Sequence, residues 1–249
     1  MKKWFLSCLV SLSALYAGEI KLAVAANVSY AMDDLIAAFK TESPQSDVSL
    51  VLGSSGKLTA QIKNGAPFEL FMAADMQYPK ALFKEGEAVT KPVIYAQGAL
   101  AYLSNKPRDF TKGIDLLTQK EIKKIAIANP KTAPYGVASV EAFEHAGIYG
   151  QIKEKLVYGE SISQTVAYAT QAADIGLIAK SSLYTSQMIQ YKEGINWSDV
   201  DAKLYTPIDQ GMVILKKGEG NAEVKAFYTF MQSAKAKEIL KVYGYKVVE

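Results

Sequence analysis

Short apolar runs alternate along the chain with stretches whose apolar positions recur every three or four residues. "IKLAVAA" (20–26) reads as a buried strand, and "SYAMDDLIAAFKTES" (29–43) follows with Met32, Leu35, Ile36 and Phe39 at helical spacing. "DVSLVLG" (47–53) is the next strand, and "SGKLTAQIKNGAP" (55–67) a helix stopped at Asn64-Gly65. "FELFMAA" (68–74) is a strand and "MQYPKALFKEGE" (76–87) a short helix. The pattern then predicts strands over 98–105, 123–129, 153–159, 173–180 and 207–217. Between them it predicts a short helix at "GIDLLTQK" and longer ones over 134–147 and 161–171, with one or two more over 221–244.

Strand–helix alternation predicts an α/β protein with parallel sheets covered by helices on both faces. No Ser/Gly/Pro linker, low-complexity tract or repeat interrupts the pattern. At 249 residues the chain fits one large domain or two of ordinary size. Any division must then be made by strands that cross between sheets, not by a tether.

The first segment changes the picture of where the protein works. "MKKWFLSCLVSLSALYA" has Lys2 and Lys3, a short apolar stretch and small residues ending at Ala17, the pattern of a secretory signal peptide. The apolar run is too short to span a membrane. A periplasmic location follows, with the mature chain beginning near Gly18. The sole cysteine, Cys8, falls inside this segment, which leaves the mature chain without disulfide or thiolate chemistry. Without Lys2 and Lys3, 26 Lys and Arg face 25 Asp and Glu, a net charge of +1. Nucleic-acid binding, which wants a basic stripe, is disfavoured.

Four strand-to-helix junctions share one chemistry. They are "AVAANVSYAM" at Asn27 and Ser29, "LVLGSSGKL" at Ser54 and Ser55, "ANPKTAPYGVA" at Pro134 to Gly136, and "VYGESISQTV" at Ser161 to Ser163. A helix start leaves backbone N–H groups unpaired, and its dipole favours an anion. In open α/β sheets ligands sit beyond the carboxyl ends of strands. The plainer reading of each junction is a helix cap, since Ser, Thr and Asn are ordinary N-caps.

Other readings of these residues fail on specific positions. A P-loop needs Gly where Val51 stands and Ser or Thr where Leu58 stands. A nucleophile elbow needs G-x-S-x-G, and "GSSGK" has its second Gly one place early. A secreted serine hydrolase using Ser54 or Ser55 would need a base, and the only histidine, His145, stands one turn from a helix end. One His, no mature Cys and adjacent Asp33 and Asp34 do not make a metal site. Arg108, the only arginine, stands in a loop-like stretch and reads as solvated surface, so the bidentate grip common for carboxylates and phosphates is missing. Lys57 reads as pointing to solvent from the first helical turn.

"IKLAVAANVSYAMDDLIAAFK", "LGSSGKLTAQIKNGAPFELFMAAD", "ANPKTAPYGVASVEAF" and "VKAFYTFMQSAKAKEILKVYGY" resemble the periplasmic molybdate-binding proteins of ABC transporters, over nearly the whole mature chain. The resemblance implies a two-lobed, class II periplasmic binding protein fold. Each lobe is a mixed, mostly parallel sheet flanked by helices, and the ligand sits in the interlobe cleft. It places lobe one at 19–97 plus 211–249 and lobe two at 98–210. It carries one ligand position per junction: Asn27, where Ser is commoner, then Ser55, then Tyr135 and Ile162 through backbone N–H, with Ala26 and Ser54 beside them. A Tyr hydroxyl that completes the shell in many members falls on Ala179 here, and Tyr135 is the candidate to replace it. The implied ligand is molybdate or tungstate, with no cofactor, no catalysis, and an inner-membrane ABC permease as partner of a monomeric receptor. Such oxyanions accept hydrogen bonds and donate none, which suits Asn N–H₂, Ser and Tyr O–H and backbone N–H groups. Sulfate, with shorter bonds, would leave donors of a closed cage unpaired. A same-fold receptor for sulfate or phosphate is the alternative.

Overall fold

The computed structural model describes residues 19–247. The expected signal peptide, 1–17, lies outside them. Two five-stranded mixed sheets carry the fold.

The first sheet has the order β2-β1-β3-β10-β4. Its strands are β1 (Glu19–Ala25), β2 (Asp47–Gly53), β3 (Leu70–Met72), β4 (Val93–Gly98) and β10 (Ile208–Ile214). Strand alternation divides the side chains of β1 between two cores. Ile20, Leu22 and Val24 face α1 (Ser29–Glu42), α7 (Ala222–Phe230) and α8 (Ala234–Val242), where Phe39 meets Phe227 edge-on at 5.1 Å between ring centres. Ala23 faces the other way, toward Leu58 and Ile62 of α2 (Ser55–Lys63) and Leu82 of α3 (Gln77–Lys84).

The second sheet has the order β7-β6-β8-β5-β9. Its strands are β5 (Leu100–Leu103), β6 (Ile125–Ala128), β7 (Leu156–Gly159), β8 (Ile175–Ala179) and β9 (Trp197–Asp199). Leu100, Tyr102, Ile125, Ile127 and Leu177 pack with Ala142 and Phe143 of α4 (Pro134–His145) and with Ile152 of the short α5 (Tyr149–Ile152). Ala101, Leu103 and Ile178 form the opposite face with Ala169 of α6 (Ile162–Gln171).

Each sheet has two parallel and two antiparallel pairings. The strand–helix alternation accounts for the parallel ones. The antiparallel ones involve β10 and β5, the strands through which the chain enters a sheet from the other. The apolar stretch read as one strand over 98–105 is in fact the end of β4 and the whole of β5, on different sheets, with only Ala99 between them. The return passes from β9 to Ile208, the first residue of β10. The sequence pattern missed the edge strand β4, although Tyr95 and Ala96 within it are buried, and the three-residue edge strand β9, which its pairing with β5 defines. "GIDLLTQK" falls mostly within a 3₁₀ segment, Phe110–Thr118.

Candidate functional site

Strands β1 and β2 run parallel and adjacent, as do β6 and β7. Their carboxyl ends deliver the four junctions to one place. A small pocket is lined by Ala26, Asn27, Ser54, Ser55, Tyr135 and Ile162, with Ala25, Gly53, Ala74, Ala133 and Pro134 between them. All four expected ligand positions and both flanking ones are therefore brought together, from both sheets. No charged side chain and no histidine lines this pocket.

Three of the four helices that open here lack a side-chain cap. Val28 precedes α1, Ser54 precedes α2 and Ala133 precedes α4, and none of them accepts from its helix. Only Ser161 caps conventionally, accepting from the N–H of Gln164 at 3.3 Å. The capping reading thus fails for Ser54, whose hydroxyl is buried with no partner among the described residues. The backbone N–H groups of Asn27, Ser55, Tyr135 and Ile162 likewise find no partner among them. Buried donors are rarely left in this state.

Ser55 is the best defined of these donors. It is fully buried, and its Oγ accepts from the N–H of Ala74, just after β3, at 2.9 Å. With a lone pair held there, its proton is left to donate.

Asn27 departs from expectation. Its amide N–H₂ does not face the pocket as a free donor: Nδ2 donates to Gln210 Oε1 at 2.6 Å and to the Tyr245 hydroxyl at 2.9 Å. Gln210 is fixed in turn, because its Nε2 donates to the carbonyls of Ile208 at 2.9 Å and Ala74 at 3.3 Å. The Asn27 carbonyl accepts from Ser181 Oγ at 2.8 Å and from Tyr245 at 2.9 Å. What Asn27 has left is its backbone N–H and a buried, unpartnered Oδ1. Sequence reasoning missed Gln210, Ser181 and Tyr245, which hold this residue. The available signal was a Gln inside the apolar strand "IDQGMVI".

Tyr135 is buried, and its hydroxyl has no hydrogen-bond partner among the described residues. It lies near Gln210 and so close to Gly98, at the end of β4, that a methyl group there would meet it at 2.0 Å. Burial first, then the neighbouring Tyr245, Tyr95 and Tyr205, push its ionisation well above the ordinary tyrosine value, against a smaller opposing pull from the Asn27 amide beside it, which stands outside hydrogen-bond geometry. At neutral pH it is an O–H donor. Ala179, where many molybdate-binding proteins are expected to carry a tyrosine, is core and does not line the pocket.

The remaining candidates lie elsewhere. Arg108 is neither solvated surface nor ligand clamp: its side chain is largely buried, with Nε on Ser104 Oγ at 3.2 Å and a terminal nitrogen on the Asp174 carbonyl at 3.2 Å. His145 Nδ1 bonds the carbonyl of Leu204 at 2.8 Å, away from both serines' pocket. Among the described residues no group of three His, Asp or Glu could hold a cation. Lys57 does not point to solvent alone: it pairs with Glu160, in the loop before α6.

Residues 20–246 match the family described as bacterial extracellular solute-binding protein. The chain is 38% identical over 234 residues to the molybdate-binding protein ModA of Azotobacter vinelandii, covering 93% of this chain and 91% of that one. It is 40% identical over 232 residues to ModA of Rhodobacter capsulatus, covering 92% and 88%. The solved structure of the Azotobacter vinelandii periplasmic molybdate-binding protein superimposes with a TM-score of 0.84 at 30% identity, over 92% of this chain and all of that one. The chain belongs to the bacterial extracellular solute-binding proteins, and within them to the ModA family.

Proposed function

We propose that this protein is a periplasmic receptor that captures molybdate, and tungstate with it, in the pocket between its two sheets and hands it to an inner-membrane ABC permease. The two sheets are the two lobes, and the site residues are Asn27, Ser55, Tyr135 and Ile162, with Ser54 beside them. The observation that carries the reading is the neutral donor shell. Asn27, Ser54, Ser55, Tyr135 and Ile162 line a pocket that no charged side chain lines. The backbone N–H groups of Asn27, Ser55, Tyr135 and Ile162 at the four helix starts, with the hydroxyls of Ser54 and Tyr135, have no partner among the described residues. A dianion that only accepts hydrogen bonds satisfies such a shell, and the helix dipoles favour its charge. The relatives named ModA support the same ligand. The protein binds and releases without catalysis: Ser54 and Ser55 have no base beside them.

A second reading has one observation in its favour. Asn27 Oδ1 is a buried acceptor without a partner, and a protonated oxyanion such as hydrogen phosphate could donate to it. Thermal unfolding with molybdate, tungstate, sulfate and phosphate decides between them. Ligand that binds only the folded state raises stability by RT ln(1 + [L]/Kd). Molybdate and tungstate are expected to raise the midpoint well above sulfate or phosphate at equal concentration. A larger shift with phosphate transfers the assignment to it, and no shift with any of the four removes it.

Tyr135→Phe separates the two roles of that residue. Removing an unpartnered buried hydroxyl is expected to leave the ligand-free midpoint unchanged or higher. Losing a donor to a charged ligand is expected to weaken molybdate binding roughly tenfold or more. Titration calorimetry checks the second part, and unchanged affinity would confine Tyr135 to its backbone N–H.

A further inference from the structure

The motif "GSSGK" contributes two serines to the pocket, which leaves Gly56 and Lys57 without a role in the shell. Both touch the opposite sheet's loops. The N–H of Gly56 donates to the carbonyl of Thr132, in the loop before α4, at 2.8 Å. Lys57 pairs with Glu160 in the loop before α6, with 44% and 62% of the two side chains exposed. These four residues stand on both sides of the cleft, immediately outside the donor shell.

Gly56 has a steric reason to be glycine. A Cβ there would lie 3.0 Å from the Cα and the carbonyl oxygen of Thr132, and 2.7 Å from the Tyr78 hydroxyl. Tyr78 is on the same side of the cleft and can swing away. The Thr132 backbone is on the other side and cannot, short of the lobes parting. Gly56 sits in the first turn of α2, and its backbone conformation is one that any residue adopts. What a side chain would disturb is the approach of the lobes, not the helix.

We propose that Gly56–Thr132 and Lys57–Glu160 form a clasp that closes the cleft over the bound oxyanion and sets how slowly it leaves. This rests on the reading that the pocket takes an oxyanion. The steric contact is the stronger half. The ion pair is exposed, and such pairs contribute little and are screened by salt.

The test is the rate of molybdate release, followed by stopped-flow on the full mature chain, together with the unfolding midpoint of the ligand-free protein. Gly56→Ala is expected to speed release roughly tenfold or more, the scale of an overpacked contact, and to leave the ligand-free midpoint unchanged or higher. Lys57→Glu is expected to speed release roughly two- to fivefold at low salt, with Glu160→Lys in the same chain restoring it. Where Gly56→Ala lowers the ligand-free midpoint, this charge-swap pair carries the test. Release rates unchanged in Gly56→Ala and in Lys57→Glu overturn the clasp. Unaltered protein that takes up no molybdate counts against the ligand assignment instead. The clasp is then read in the ligand-free chain by small-angle scattering. There Gly56→Ala must enlarge the radius of gyration, and an unchanged radius overturns it.

Discussion

Replacing Ser55 with aspartate is expected to abolish molybdate binding while leaving the protein folded. Ser55 is the first residue of α2, where a negative charge complements the helix dipole, so the carboxylate has a stable place to sit. That place is where the anion's charge is needed. Two unit charges at 4 Å interact by about 4 kcal/mol at an effective dielectric constant of 20, and a dianion doubles the repulsion. Several orders of magnitude in affinity follow, beyond the reach of titration calorimetry. Ser55→Ala is milder and has two signatures. Loss of one donor to a charged group is expected to weaken binding roughly ten- to hundredfold. The N–H of Ala74 also loses its acceptor, at a cost of about 1–3 kcal/mol to the ligand-free fold. A wild-type affinity in Ser55→Asp would place the ligand away from this helix start.

The contrast between Ser55 and Asn27 shows how far the sequence could be read. Both were legible as positions, because a small or polar residue between an apolar strand and a helical pattern is a local signal. That Ser55 keeps a proton to donate was legible too: whatever its oxygen accepts, the proton remains. Asn27 has two kinds of polar atom, and which of them meets the pocket depends on partners remote in sequence. Gln210 is 183 residues away and Tyr245 is 218. No periodicity or spacing reports such a pairing.

The same limit applies to the fold. Strand β1 was plain as a continuous apolar run, since both of its faces are buried, and helix α1 from its period of three to four, which reflects burial of one face. The break at Ala99 was not. Strands β4 and β5 are continuous in apolar character, and only their hydrogen-bond partners, β10 on one side and β8 and β9 on the other, show that they belong to different sheets. Lys57 is exposed, as its place in the first helical turn suggests, but its ion-pair partner was not legible for a related reason. Its partner Glu160 arrives only because the second sheet brings the loop before α6 across the cleft.

Gly136→Ala is expected to lower stability by about 3 kcal/mol, the upper end of the usual cost of overpacking, and to lose molybdate affinity with it. Gly136 is the third residue of α4, directly after Tyr135. A Cβ there would lie 2.2 Å from the carbonyl oxygen of Ala128, and 2.8 Å from both the Ala128 carbonyl carbon and the Pro130 nitrogen. All three atoms are backbone, so no rotamer change relieves the contact. Ala128 ends β6, and the turn from Asn129 to Ala133 is held by hydrogen bonds from Thr132 and Ala133 to the Asn129 carbonyl. Either this turn or the start of the helix must shift, and the N–H of Tyr135 shifts with the helix. In a domain of this size, 3 kcal/mol corresponds to a drop of about 6–12 °C in the unfolding midpoint. Val137, the next residue, is 44% exposed, and Val137→Ala is the matched control, expected to stay within about 0.5 kcal/mol of the parent. Urea titration of both variants measures the difference. A midpoint for Gly136→Ala as high as that of the control would mean that α4 is not seated against the end of β6, and that Tyr135 reaches the pocket by another route.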